Sequence, residues 1–155
     1  MFTLPKEFFV TSGRASSRVS DLNAFDRALL NARIGEQNLV SVSSVLPAGI
    51  EEVAPRDLPV GAMTHCVLAQ MRGEEGEMIS AGIAYAFRKD SKGGYVSEGH
   101  IHGTRAALKE ILEWKMAEMA RLRNVELENV KFKVEELSIP MDHYGACVAA
   151  LIYLG

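Results

Sequence analysis

Hydrophobic and polar positions alternate along the chain in two different periods, and the switch between them marks the elements. Phe8, Phe9 and Val10 form a short apolar run that predicts a strand, followed by a small, polar stretch over 11–20 that predicts a loop. Leu22, Phe25, Leu29, Leu30 and Ala32 then recur at helical spacing. Ser20 or Asp21 can cap the front of that segment and Gly35 can end it, which predicts a helix over 22–33. Residues 38–45 are rich in Val and Ser and predict one strand. Pro47, Gly49, Pro55, Pro59 and Gly61 make 47–62 irregular.

Residues 64–71 and 78–87 predict two more strands, with 72–76 as the hairpin loop between them. A turn-rich stretch over 89–94 leads into a strand expected at 95–101. Leu108, Ile111, Leu112, Lys115, Met116, Met119 and Leu122 then trace one stripe of an amphipathic helix. The last two strands are expected at 130–139 and 146–154, and the second is apolar enough to lie buried on both faces. Strands outnumber helices without regular βα alternation or an internal repeat. The pattern therefore predicts one domain over 1–155, an α+β layered sandwich with a mostly antiparallel or mixed sheet covered by two main helices.

Composition changes this picture little. A chain of 155 residues with 48% hydrophobic and 24% charged residues has enough apolar material for an ordinary core. The net charge of −3 is spread along the chain, so no concentrated basic surface for nucleic acid is expected. Cys66 and Cys147 are too few for a disulfide framework and are expected to be small buried hydrophobes. No membrane span and no secretory leader are expected, which assigns the chain to the cytoplasm.

Candidate chemistry is sparse. GxGxxG, GxxxxGK[ST] and GxSxG motifs are absent. Glu98, His100 and His102 would share one face if their segment were extended, as a divalent-metal triad requires. Gly99 and Gly103 argue for a loop that would scramble that alternation, so no metal is assigned. The pair Ser43–Ser44 ends a strand just before the Pro- and Gly-rich segment.

The surroundings of that serine pair give it meaning. LNAFDRALLNARIG over 22–35 and NLVSVSSVLP over 38–47 closely resemble pyruvoyl-dependent arginine decarboxylases. So do LPVGA at 58–62, ISAGI at 79–83 leading to Lys89 and Asp90, Glu98, and GACVAA at 145–150, all in the family's order. The resemblance implies autocatalytic cleavage between Ser43 and Ser44, giving segments 1–43 and 44–155. Ser44 would become the pyruvoyl cofactor, whose ketone accepts the electrons left behind when an amino acid loses carbon dioxide. It also implies that Asn38 assists at the site and that Glu98 protonates the substrate carbon after decarboxylation. Asp26 would receive the guanidinium of arginine, with Leu22 one turn earlier against its aliphatic stem.

Agmatine and carbon dioxide are the products the resemblance implies, with polyamine synthesis as the use. Seven residues of straight strand span ~20 Å, so Asn38 reaches Ser44 only across a bend or from a neighbouring subunit. The family's homotrimers, with sites between subunits, suit the second arrangement. Arg27 and Arg33 stand where small residues are expected and would repel arginine if they faced the pocket; solvent-facing positions are expected for both. Three alternatives stay open: a pyruvoyl decarboxylase of another amino acid, an uncleaved, non-catalytic oligomeric binding protein, and a metal protein using Glu98, His100 and His102.

Overall fold

The computed structural model describes residues 2–155, whose strands divide into two sheets. In chain order the elements are β1 (Glu7–Ser17), α1 (Asp21–Asn31), β2 (Asn38–Ser41), β3 (Val45–Leu46), β4 (Glu51–Glu52), β5 (Met63–Glu74), β6 (Met78–Phe87), β7 (Gly94–His102), α2 (Arg105–Arg123), β8 (Lys131–Ser138) and β9 (Tyr144–Leu154). One sheet runs β2-β5-β9-β1-β4 and the other β3-β7-β6-β8. The first is mixed, because β2 and β4 add in parallel at its edges; the second is antiparallel throughout.

Side-chain alternation explains the stacking. On β9, Ala146, Val148, Ala150 and Ile152 face α1, while Cys147 and Leu151 enter the space between the sheets. On β6, Ile79, Ala81, Ile83 and Tyr85 meet them there, while Ala84 and Ala86 face α2. The result is four layers, helix on sheet on sheet on helix. β9 lies central in its sheet and nearly all of it is buried, as its apolar run predicts.

Each helix is set by a short apolar stripe. Ala24 and Ala28 are fully buried on α1 and, with Ala32 just beyond, let the helix sit close on β1. At Gly13 a Cβ would stand only 2.3 Å from the Ala28 carbonyl oxygen. The Ser20 side chain caps α1 by accepting from Asn23 N–H at 3.0 Å. α2 buries Leu108, Leu112 and Met116, each contributing roughly 1.5–3 kcal/mol of apolar burial. Thr104 caps its start, and Asn124, at φ 52, closes its end in the left-handed conformation.

Several expectations are corrected. The polar stretch after Phe9 is not a loop: β1 continues to Ser17 and pairs with β9 along its whole length. Small residues there make room for α1, which removes the usual apolar signature. Helix α1 ends at Asn31 with Ala32 as its cap and Arg33 at φ 67, so Gly35 is not the stop. The strand expected over 38–45 is two strands in different sheets, and β4 interrupts the irregular segment. Leu122 is 67% exposed and lies outside the buried stripe of α2. Among the described residues no helix is long and apolar enough to cross a membrane.

Candidate active site

The serine pair lies where the chain changes sheets. Val42 N–H still donates to the Cys66 carbonyl on β5, at 3.0 Å. Two residues later, the Ser44 carbonyl accepts from Val96 N–H on β7, also at 3.0 Å. Between these anchors Val45 N–H turns back onto the Ser43 carbonyl at 3.1 Å, a three-residue turn centred on Ser44. The Tyr153 hydroxyl donates to the Val45 carbonyl at 2.9 Å, tying β3 to the central strand of the other sheet. The Ser43–Ser44 peptide is thus bent and held at both ends, outside either sheet's ladder.

A cavity opens on each side of that peptide. One, of about 460 Å³, is lined by Ser44, Glu98, Trp114, Lys115, Glu118 and Met119, with Val96 and Ser97 as its floor. The other, of about 580 Å³, holds Ser43, Val42, Val45, His65 and Tyr153 among its lining residues. Ser44 is half-buried and Ser43 exposed. The Lys115 ammonium donates to the Glu98 carbonyl at 2.6 Å, fixing the free edge of β7 beside the first cavity. Beneath the site, burial pushes the Cys66 thiol up to about 11, with the Glu98 charge adding to the effect. Burial likewise raises the Tyr153 hydroxyl to about 12, with Cys66 contributing.

Ser44 and Glu98 therefore meet in one cleft. The other residues singled out by sequence do not join them within one chain. Asn38 sits at the far end of β2, its side-chain amide donating to the Gly61 carbonyl at 2.9 Å. Asp26 and Leu22 lie exposed on α1, which covers the outer face of the five-stranded sheet. Arg27 donates to the Ser16 carbonyl at 3.1 Å, and Arg33 pairs with Asp57 at 2.9 Å. Both guanidinium groups are thus engaged elsewhere on their own chain.

The glycine-flanked segment at 98–102 is strand β7 rather than loop. His102 on it pairs with Glu77 at 2.9 Å, and among the described residues no group of three His, Cys, Asp or Glu side chains converges for a metal. Sequence reasoning missed Lys115, read as part of an apolar stripe, and Tyr153, read as part of a buried strand. A tyrosine in an otherwise aliphatic run was the available signal, since a buried hydroxyl needs a partner.

Comparison with known proteins decides the family. A family model described as pyruvoyl-dependent arginine decarboxylase matches residues 7–155. The chain belongs to the pyruvoyl-dependent arginine decarboxylase family. A pyruvoyl-dependent arginine decarboxylase of Pyrococcus abyssi is 32% identical over 97% of this chain and 96% of its own length. Those of Methanothermobacter thermautotrophicus and Methanocaldococcus jannaschii are 35% and 34% identical, over 94% and 98% of this chain and 94% and 93% of theirs. The family is one of decarboxylases, which are carbon–carbon lyases. A solved pyruvoyl-dependent histidine decarboxylase shares the fold at TM-score 0.52 and 15% identity, over 63% of this chain; the chain spans about half of that structure, 53%.

Proposed function

We propose that this chain cuts itself between Ser43 and Ser44 and then decarboxylates L-arginine to agmatine and carbon dioxide. One observation carries the reading: in a chain of this family, the Ser43–Ser44 peptide is bent out of both sheets beside a cleft that also holds Glu98. Ser44 Oγ attacks the Ser43 carbonyl carbon, the bond to the Ser44 nitrogen breaks, and the hydroxyl proton passes to the freed amine. Val45 N–H, already on that carbonyl oxygen, stabilises the oxyanion formed on the way. Loss of the Ser44 Cα proton then expels Ser43 as a carboxylate and leaves dehydroalanine. Water enters, ammonia leaves, and position 44 becomes a pyruvoyl group. The two cavities give the new ends, residues 43 and 44, separate spaces.

The residues present fit that group, because Ser44 is anchored through its own carbonyl and borders open space. The pyruvoyl ketone supplies an electron sink for the carbanion left by decarboxylation. Glu98 delivers the proton to that carbon, with its backbone held by Lys115. Trp114 and Met119 give the cleft an apolar wall beside Ser44 and Glu98.

The remaining functions come from a neighbouring subunit of a homotrimer. The separation of Asp26, Leu22 and Asn38 from Ser44 within one chain supports this arrangement. Exposed Leu22, Val45, Met63 and Trp114, each more than half accessible, are the apolar surface such an interface needs. Asp26 then takes the guanidinium in a bidentate pair, Leu22 packs on the stem, and Asn38 steadies the developing oxyanion.

Denaturing mass spectrometry tests the first half: the wild type yields fragments 1–43 and 44–155, and Ser44→Ala one uncut chain. Agmatine release, assayed against ornithine, lysine and aspartate, tests the second; a processed sample that makes no agmatine overturns the arginine assignment. Mixing Asp26→Ala subunits with Glu98→Gln subunits restores activity if each site spans two chains. A strictly monomeric active enzyme overturns that assembly.

A further inference from the structure

Resting on the reading that the chain cuts itself, we propose that Tyr153 is a positioning residue for the cleavage, holding the turn at Ser44 in reactive shape through the Val45 carbonyl. Tyr153 stands on β9, in register with Phe8 in the middle of the five-stranded sheet. Its hydroxyl crosses to β3 of the other sheet and donates to Val45 at 2.9 Å. Val45 is also the residue whose N–H reaches the Ser43 carbonyl at 3.1 Å, so one side chain fixes the donor that polarises the scissile bond. β3 is only two residues long, and its ladder partners are Tyr95 and Gly94. A strand that short relies on outside anchors, and the hydroxyl of Tyr153 supplies one from the central strand of the other sheet.

The tyrosine is not itself placed to attack or to carry a proton between reacting atoms. Its effect passes through the backbone of Val45. A phenol is protonated throughout the neutral range and burial raises this one further, so the hydroxyl remains a donor there. Among the described residues, Tyr153 gives the one side-chain hydrogen bond to the backbone of residues 43–45, adding to the backbone bonds from Val96 and within the turn.

The test follows cleavage of freshly made protein by denaturing mass spectrometry, for wild type, Ser44→Ala and Tyr153→Phe. Removing one hydrogen bond of ordinary net strength should slow cleavage roughly fivefold to tenfold. Hydroxylamine, which captures the ester formed by Ser44, should release correspondingly less fragment from Tyr153→Phe at equal times. Loss of packing alone would leave that captured fraction unchanged. If Tyr153→Phe folds poorly, tetrafluorotyrosine at position 153 keeps the ring and lowers the acidity range of its hydroxyl. Cleavage of that protein should then fall as pH rises through the ionisation of the modified phenol, because a phenolate cannot donate. Wild-type rates in Tyr153→Phe, or a flat pH profile for the fluorinated protein, overturn the role of Tyr153 and leave self-cleavage standing. A wild type that never cuts overturns both.

Discussion

Replacing Gly93 with alanine should loosen the cleavage segment from a position that touches no reacting atom. Gly93 has φ 117, a backbone conformation that side-chain-bearing residues rarely adopt. A Cβ there would also stand 2.6 Å from the Leu46 carbonyl oxygen, on the strand that follows Ser44. Unusual backbone geometry costs about 1–3 kcal/mol, and overpacking against a neighbour that must retreat costs about 1–3 kcal/mol more. Gly76 is the control: its φ is 78, but an added Cβ meets nothing within 4 Å. Alanine at Gly76 therefore carries only the conformational cost, about 1–2 kcal/mol.

Both variants should be melted in the Ser44→Ala background, so that they are compared before cleavage. For a chain of this size 1 kcal/mol shifts the midpoint by about 2–4 °C, giving a fall of about 10 °C for Gly93→Ala and about 4 °C for Gly76→Ala. With Ser44 restored, Gly93→Ala should also cut several-fold more slowly, since β3 can yield only by moving away from β7. Gly76→Ala should cut at the wild-type rate. Equal melting losses and equal cutting rates for the two variants would refute the argument that Gly93 seats β3.

Glu98→Gln should leave cleavage intact and lower turnover of arginine by about 10²–10⁴, read from the rate of agmatine release by processed enzyme. Arg27→Ala should leave the KM for arginine unchanged within about twofold, because its guanidinium lies on the Ser16 carbonyl; a large drop in KM would show that it faces the substrate. The buried thiols set an alkaline limit. Burial raises Cys66 from 9.0 to about 11, and burial with the Glu135 charge raises Cys147 to about 12. Below pH 9.0 both thiols are protonated in both states. Above it the unfolded chain releases protons that the folded chain keeps, so stability falls as pH climbs toward the folded values. Urea midpoints should drop across that window, and a constant midpoint would contradict the burial of both groups.

Much of this fold was legible because burial writes its own period into a strand or helix. Strand β6 lies where its apolar run predicts, β9 has the central place its composition requires, and α2 follows from Leu108, Leu112 and Met116. The signal failed where a neighbour, rather than solvent, chose the residues. Apart from Arg14, residues 11–17 are small because α1 lies almost on their backbone, and a strand made largely of Thr, Ser, Gly and Ala looks like a loop.

At the candidate site the division is similar. The residues quoted for the family resemblance, Ser44 and Glu98 included, are present in the linear order, and nothing beyond that order was needed to relate the chain to its family. The sequence by itself determined both helices, most of the long strands with their alternating faces, and the family. Only tertiary structure decided that residues 38–46 divide between two sheets, because a Val- and Ser-rich run pairs equally well with one partner strand or two. It also decided that Val45 N–H and the Val96 amide meet the serine pair while the Tyr153 hydroxyl holds the adjoining Val45 carbonyl. Those contacts join residues as much as 108 positions apart, two of them through backbone atoms that every residue carries, so no local pattern could announce them.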